Sequence, residues 1–162
     1  MFTEIVKIIE GGLQGDKEKV FNYANYILQT KQLYPDWFKI NYFACHDFVS
    51  DELIYVNYNP TCRELSENIS YWVHVGKEGH CNDSDKLNQW ILNIDIDYFF
   101  FESEYQMFTD EYIKKICANI LTALPDIDVI TISLSPECCG GWENSCRIAN
   151  LMAKEFNLDF EI

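Results

Sequence analysis

Basic residues are scarce in this chain: 12 Lys and Arg stand against 26 Asp and Glu among 162 residues, for a formal net charge of −14. Binding to DNA or RNA depends mainly on cations that neutralise phosphates, so this balance argues against a nucleic-acid partner. Proline and glycine are also few, at 4 and 7, while aromatic residues reach 15%. This composition excludes a disordered or linker-rich chain and predicts one globular domain over residues 1–162.

Long apolar runs and targeting signals are also missing. Asn93, Asp95 and Asp97 interrupt the most apolar stretch, so no segment reaches the ~18 residues of a membrane span, and we expect no membrane partner. The N-terminus lacks the cationic start and cleavage site of a secretory signal. Seven cysteines are an odd number, and Cys138 and Cys139 are adjacent, which fits no simple disulfide framework. We therefore predict a cytoplasmic protein whose thiols are reduced and mostly buried rather than nucleophilic.

The spacing of apolar residues predicts an α/β fold. Residues 1–33 contain two stretches with helical spacing, separated by glycines, which predict an N-terminal helical hairpin. Between residues 34 and 80 the signals are mixed and include an extended-looking piece at Tyr71–Val75. After residue 80, strands and helices alternate, which predicts a mainly parallel sheet. The expected strands are Trp90–Phe101, Val129–Leu134 and Leu158–Ile162, and the expected helices are one from Thr109 to Pro125 and one over Trp142–Phe156.

Two aspartates alternate within the first of these strands, in the run Asn93–Phe99. Asp95 and Asp97 are expected to share one strand face, because side chains two residues apart in a strand point the same way. Two like charges on a buried strand are costly unless a cation compensates, so a divalent metal ion is the simplest explanation. The alternative is a sheet-edge strand whose acidic face meets water, or aspartates that cap neighbouring loops.

A second segment, Thr131–Glu143, runs from a strand through a turn rich in proline and glycine into a helix. Ligands of open parallel sheets bind beyond the carboxyl ends of the strands, so Glu137 and Asp97 are expected to face one crevice. Glu137 is equally compatible with a solvated loop acid, and Glu143 with an acid that complements the helix dipole. The glycine pair in the turn permits a sharp change of direction.

Together these segments resemble the C-terminal half of the peptide arginase family, a branch of the arginase-like ureohydrolases. The similarity covers residues 68–162. It rests on Asn93–Phe99, on the Thr109–Ile120 helix, and on Thr131–Glu143 with its Ser-Pro-Glu and Gly-Gly-Trp-Glu sequences. The resemblance implies a three-layer α/β sandwich and the hydrolysis of peptidyl arginine to ornithine and urea.

The resemblance also implies roles for particular residues. Asp95 and Asp97 match the Asp-x-Asp manganese ligands of the family, so the expected cofactor is Mn²⁺. Glu137 and Glu143 are the candidate catalytic acids that hold the guanidinium, and the motif does not choose between them. Guanidinium hydrolysis needs a metal-generated hydroxide and carboxylates that bind the cation, which agrees with the acidic composition. The expected partner is an arginine-containing peptide or protein.

The first half of the chain departs from the family pattern. Ureohydrolases also contribute an upstream Asp-x-His-x-Asp strand, and that spacing does not occur in this sequence. One hypothesis is a shortened or incomplete member that binds arginine peptides and hydrolyses them slowly or not at all. A second is an active manganese-dependent hydrolase whose missing ligands come from another chain or from His46, Asp47, His74 or His80. A third is an acidic interaction domain without chemistry.

Overall fold

The structure is a computed structural model that describes residues 42, 44, 60–78 and 90–162, with the backbone alone at 76–78. The chain divides into two compact units, one of Met1–Phe43 and Asp47–Asn59 and the other of Ala44–His46 and Pro60–Ile162. Nearly all of the described residues belong to the second unit. The predicted helical hairpin of residues 1–33 lies outside the described residues, and the single domain stays a prediction.

Helices and short strands alternate along the described chain. In chain order they are α1 (Cys62–Glu78), β1 (Ile91–Asp95), β2 (Phe100–Phe101), β3 (Tyr105–Gln106), α2 (Asp110–Ala123), β4 (Val129–Ser133) and α3 (Trp142–Glu155). Short 3₁₀ helices follow β1, α2 and β4, at Ile96–Phe99, Leu124–Asp126 and Pro136–Cys138. The mixed α/β class predicted from the sequence is confirmed.

The two longer strands form a parallel pair. The register of β1 and β4 begins with Ile91 opposite Val129 and ends with Asp95 opposite Ser133. The helix α2 lies between them in the chain, as the crossover of a parallel pair requires. Strands β2 and β3 form a separate antiparallel hairpin. Parallel pairing is therefore confirmed, for a sheet of two strands within the described residues.

The prediction of one continuous strand over Trp90–Phe101 is wrong, because β1 ends at Asp95 and Phe100–Phe101 belongs to the separate strand β2. After Asp95 the chain enters the 3₁₀ helix Ile96–Phe99, and the Asp95 carboxylate accepts a hydrogen bond from the backbone N–H of Asp97 at 3.5 Å. An aspartate that bonds the backbone two residues further on competes with strand pairing and favours a helix cap. The apolar alternation continues past Asp95 in the sequence, and it concealed this change of backbone.

Helices α2 and α3 form where the apolar spacing predicts them. Thr109 caps α2, and its hydroxyl accepts a hydrogen bond from the backbone N–H of Tyr112 at 3.3 Å. Pro125 lies in the 3₁₀ turn that follows α2, and α3 ends at Glu155, next to the predicted end. No helix in the described part of the chain is long and apolar enough to cross a membrane.

The extended interpretation of Tyr71–Val75 is wrong, because this piece belongs to α1. Thr61 and Glu64 cap the helix reciprocally: the Thr61 N–H donates to Glu64 Oε2 at 2.9 Å, and the Glu64 N–H donates to Thr61 Oγ1 at 3.3 Å. This Thr-x-x-Glu capping box is a helix start signal that the sequence displays. Ile69 and Val73 are buried one helical turn apart. The five residues Tyr71–Val75 include neither the capping box nor Ile69, so this stretch by itself does not display the helical pattern.

The predicted final strand Leu158–Ile162 is also wrong, since the structure has no strand there. Asn157 turns the chain after α3 with a left-handed backbone (φ 56°). The Ile162 N–H then donates to Asn150 Oδ1 at 2.9 Å, and the Asn150 amide donates to the Ile162 carbonyl at 2.8 Å. The terminal backbone is thus bonded by a side chain of a helix, where a strand would need a sheet edge.

The core lies between the helices and one face of the β1–β4 sheet. Its fully buried side chains include Ile96, Phe99, Ile113, Ile120, Ile148 and Met152. Leu92, Ile94, Ile130 and Ile132 pack onto this core from the sheet. The alternate sheet positions are exposed: Ile91, Asn93, Asp95, Val129, Thr131 and Ser133. The described elements therefore build two layers, one of helices and one of sheet.

Candidate acidic site at the carboxyl ends of β1 and β4

The candidate site lies where β1 and β4 end side by side. Asp95 and Ser133 are the last pair of the parallel register. Each strand then enters a 3₁₀ helix, which carries Asp97 after β1 and Glu137 after β4. This edge is where open α/β sheets bind ligands. We call the group Asp95, Asp97 and Glu137 the acidic site.

Asp95 is held by Ser135, for which no role was predicted from the sequence. The Ser135 hydroxyl donates to Asp95 Oδ1 at 2.6 Å, and Ser133 Oγ lies 3.1 Å from Ser135 Oγ. Ser135 has a left-handed backbone (φ 44°, ψ 52°), which costs an L-residue roughly 1–2 kcal/mol. Strain of this kind is typical of positions where a side chain has to be aimed. In the sequence, the Ser-Pro-Glu run that begins with Ser135 was the signal that could have indicated this role.

Asp97 reaches the site by a different route from the predicted one. The shared strand face is wrong, because the 3₁₀ helix begins immediately after Asp95. Asp95 is exposed and Asp97 is half-buried. The two aspartates nevertheless affect the same two thiols. Burial is the largest cause that raises the pKa values of Cys138 and Cys139, and the charges of Asp97 and Asp95 are the next largest. The turn brings together the two acids that the strand pattern was expected to align.

The raised pKa values of the adjacent Cys138 and Cys139 thiols indicate that the electrostatic potential beside the acidic site is negative. Burial, followed by negative charges that include Asp97, Asp95 and Glu137, raises the pKa of Cys139 to about 12. The same causes raise the pKa of Cys138. A nucleophilic cysteine needs a lowered pKa, so this environment favours cations over thiolates. Cys45 and Cys81 lie outside the described residues, and the five described cysteines are free: Cys62, Cys117, Cys138, Cys139 and Cys146.

The two candidate guanidinium acids differ in position. Glu137 is exposed after β4, and its charge contributes, after burial and the two aspartates, to the raised pKa of Cys138. Glu143 is exposed in the first turn of α3, just after Gly141, the N-cap, with a φ of 108°. An acid there complements the helix dipole. The structure thus groups Glu137 with the aspartates and gives Glu143 a position that the dipole alone explains.

The described histidine lies elsewhere. His74 is exposed on α1 and lines a pocket with Asp126, which ends the 3₁₀ helix between α2 and β4. That pocket is at the amino ends of the strands, whereas the acidic site is at their carboxyl ends. The structure therefore does not bring His74 to the acidic site. Three other candidates lie outside the described residues: His46, Asp47 and His80.

Asp95, Asp97 and Glu137 supply carboxylate oxygens, which suit Mn²⁺. Among residues 42, 44, 60–78 and 90–162, however, no three His, Cys, Asp or Glu side chains are grouped so that they could hold a metal ion. The described donors alone do not fit a metal centre.

The β2–β3 hairpin packs against the turn that carries Glu137, a contact that the sequence did not predict. Its turn residues Glu102 and Ser103 have positive φ values of 50° and 60°. Burial raises the pKa of the Cys138 thiol, and the Ser103 side chain of the hairpin partly offsets this rise. Gly140, with a φ of 71°, approaches the hairpin so closely that a Cβ there would lie 3.5 Å from the Glu104 Cα. The sharp glycine turn is confirmed, and the hairpin borders the acidic site.

Comparison with protein-family models, with curated proteins and with solved structures finds no match to this chain. The peptide arginase resemblance therefore stays a prediction that rests on Asn93–Phe99 and Thr131–Glu143. These two segments contribute the acids that meet at the carboxyl ends of β1 and β4.

Proposed function

We propose that this chain recognises arginine-containing peptides through the acidic site. The supporting observation is that Asp95, Asp97 and Glu137 lie where β1 and β4 end side by side, and that Ser135, two residues before Glu137, donates to Asp95 Oδ1 at 2.6 Å. A net charge of −14 also attracts cationic ligands to the chain. Glu143, at the start of α3, is a further candidate for guanidinium contact.

The orientation of Asp95 suits a guanidinium ligand. Both hydrogen bonds that it accepts within the described structure, from Ser135 and from the Asp97 N–H, go to Oδ1. Oδ2 is therefore available to an N–H donor of the ligand. Arginine presents several donors in one plane and pairs with carboxylates through two parallel hydrogen bonds, whereas lysine is a point charge. Fixed carboxylates at one edge thus favour arginine over lysine.

The proposal includes a three-layer sandwich for the complete fold. Parallel sheets are normally covered on both faces. The face that carries Asn93, Asp95 and Thr131 is exposed within the described structure. A further layer over this face would enclose the acidic site, as the resemblance implies.

Hydrolysis of peptidyl arginine to ornithine and urea is the second candidate function. It is favoured by the presence of both aspartates of the Asp-x-Asp motif at one site. Manganese would supply the hydroxide for this reaction. The chain's own acids would bind and orient the guanidinium, while further metal ligands would come from His46, Asp47 or His80 or from another chain. Because the upstream Asp-x-His-x-Asp spacing of the family does not occur in the sequence, we propose that the chain binds arginine peptides more readily than it hydrolyses them.

Calorimetric titration with an arginine peptide and its lysine counterpart tests the proposal. The wild type is expected to prefer the arginine peptide. Asp95→Asn and Glu137→Gln should each weaken its binding about ten- to hundredfold, because each removes charge-assisted hydrogen bonds. Asp159→Asn and Glu111→Gln neutralise exposed acids elsewhere and serve as matched controls with unchanged affinity.

A urea-release assay with Mn²⁺ on the same samples separates binding from hydrolysis. We expect selective arginine binding with little urea. Rapid urea release would show a complete catalytic site and overturn the proposed order of binding over hydrolysis. Equal affinity for both peptides, or no binding of either, would contradict arginine recognition and favour the plain interaction domain.

A further inference from the structure

Three exposed aromatic side chains flank two turns beside the acidic site: Phe101 ends β2, Tyr105 begins β3 and Trp142 begins α3. Tyr105 and Trp142 are each 63% exposed, and Phe101 is 46% exposed. Tyrosine and tryptophan contribute most of the binding energy at many interfaces, since they offer large rigid surfaces. We call these three residues the aromatic rim.

The two turns that the aromatic rim flanks contact each other. Phe101 and Tyr105 are partners across the β2–β3 hairpin. The hairpin turn meets the turn before α3 at Gly140, whose Cβ position lies 3.5 Å from the Glu104 carbonyl oxygen. Trp142 begins α3 just after this contact. The rim residues therefore flank two adjoining turns, and Glu137 lies in the segment between β4 and Trp142.

The charge around the rim has one sign. Residues 101–107 and 136–146 contain no Lys or Arg, and their four acids are all exposed: Glu102, Glu104, Glu137 and Glu143. The next cation along α3 is Arg147, whose Nη1 donates to both carboxylate oxygens of Asp110 at 3.1 and 3.0 Å. Its charge is therefore compensated by Asp110. Charge complementarity assigns the rim a cationic peptide as its partner.

We infer that the aromatic rim binds the basic residues that flank the target arginine, while the acidic site holds the arginine itself. Flanking Lys or Arg side chains lie over the faces of Tyr105 and Trp142 through cation–π contacts. Glu102 and Glu104 pair with the same charges. The inference rests on the proposed function and adds the substrate class to it: arginine peptides with basic neighbours.

Three probes distinguish the rim from the acidic site: N-acetyl-arginine amide, an arginine peptide with lysine neighbours, and the same peptide with glycine neighbours. The wild type should bind the lysine-flanked peptide about five- to thirtyfold more tightly than the glycine-flanked one. The Tyr105→Ala/Trp142→Ala double variant should lose this advantage, while its affinity for N-acetyl-arginine amide changes less than about twofold.

Tyr71→Ala is the matched control, because Tyr71 is 62% exposed and lies on α1 beside His74, at the amino ends of the strands. It should bind all three probes as the wild type does. Trp142→Phe keeps an aromatic face at the start of α3 and should retain most of the affinity, even where alanine at this position disturbs the helix.

Failure of the inference and failure of the proposed function give different results. If the wild type binds arginine probes selectively and the Tyr105→Ala/Trp142→Ala double variant binds all three probes as Tyr71→Ala does, the inference about the aromatic rim is wrong. Arginine recognition by the acidic site is then unaffected. Equal loss of all three probes, with an unchanged thermal midpoint, also overturns the inference, because the rim would then hold the arginine itself. A wild type that binds no probe, or binds N-acetyl-lysine amide as tightly as N-acetyl-arginine amide, overturns the proposed function and the inference together.

Discussion

Asp95 and Asp110 place the same chemical group in two different settings. Asp110, at the start of α2, accepts hydrogen bonds from Arg147 and from Gln106, and the Gln106 bond followed by Arg147 holds its pKa below the usual range. Asp95 accepts its hydrogen bonds, within the described residues, from the neutral Ser135 hydroxyl and a backbone N–H. Within the described residues, Asp110 is paired with a cation, whereas Asp95 is bonded by neutral groups.

This difference shows what the shortage of basic residues means in three dimensions. The described ion pairs lie among the helices, where Glu67 meets Arg63 and Lys115 and where Asp110 meets Arg147. The acidic site lies on turns whose sequence contains no basic residue. Composition alone argues against a nucleic-acid partner, whereas the placement of the described cations indicates which part of the described surface remains negative.

The largest expected effect comes from removing the support beneath the acidic site. Phe99 lies in the same 3₁₀ helix as Asp97 and is 1% exposed, whereas Phe101 is 46% exposed. Phe99→Ala should lower the free energy of unfolding by about 3–5 kcal/mol, because it leaves a cavity in the core. Phe101→Ala should lower it by less than about 1 kcal/mol. Urea unfolding measures both, and equal losses would show that the 3₁₀ helix is not anchored by the core.

A manganese titration should distinguish the carboxylate of Asp95 from that of Asp110. If the proposed metal binds at Asp95 and Asp97, saturating Mn²⁺ should raise the thermal midpoint, with a stabilisation of about 2.7 kcal/mol at a hundredfold excess over Kd. The Asp110→Asn control should keep this shift, because it does not touch the acidic site. No shift in the wild type, or the same shift in Asp95→Ala/Asp97→Ala, would remove the metal hypothesis.

A smaller effect should follow from changing the residue that orients Asp95. Ser135→Ala removes the hydroxyl donor and keeps a Cβ in the left-handed conformation, so we expect a loss of about 1–2 kcal/mol. Ser135→Gly removes the same donor but tolerates this backbone, so it should be more stable than Ser135→Ala by about 1 kcal/mol. Thermal unfolding ranks the two variants. The reverse order would mean that this backbone conformation is not strained.

The smallest effect should come from the Asp110 ion pair. Since the pKa of Asp110 is lowered on folding, its contribution is present above the usual carboxylate pKa and is lost as pH falls through the lowered value. Arg147→Met should therefore reduce stability at pH 7 by at most about 1 kcal/mol, because the pair is partly exposed, and by less in strong acid. Urea unfolding at both pH values checks this. Lys154→Met, on the same helix, is the control, and an identical pH dependence in both variants would contradict the pairing.

Local signals explain what could be predicted about the fold. Helices α2 and α3 follow from apolar spacing and, for α2, from the Thr109 cap, because these interactions join residues within a turn or two. The capping box of Thr61 and Glu64 is equally local, and a longer window would have found α1. The end of β1 depends on a competition between the Asp95 side chain and strand pairing, which the apolar alternation does not show.

The acidic site was predictable only in part. Asp95 and Asp97 are predicted from their alternation within an apolar strand, and Glu137 from its position just past the end of the next predicted strand. Ser135 is not, since its hydrogen bond to Asp95 spans 40 residues. The hairpin was missed for the same reason, because Ser103 and Cys138 meet only when two distant turns pack together.

By itself, the sequence determined the acidic charge of this protein, the spans of α2 and α3 and the residue types at the acidic site. These depend on composition and on contacts between near neighbours. Only the tertiary structure decided where β1 ends, that Leu158–Ile162 bonds Asn150 in place of a strand, and that Asp110 is paired with a cation. The physical reason is the same each time. A strand edge, a helix side chain or a counter-charge comes from a distant part of the chain, and contact with it decides between conformations that local interactions leave nearly equal in free energy.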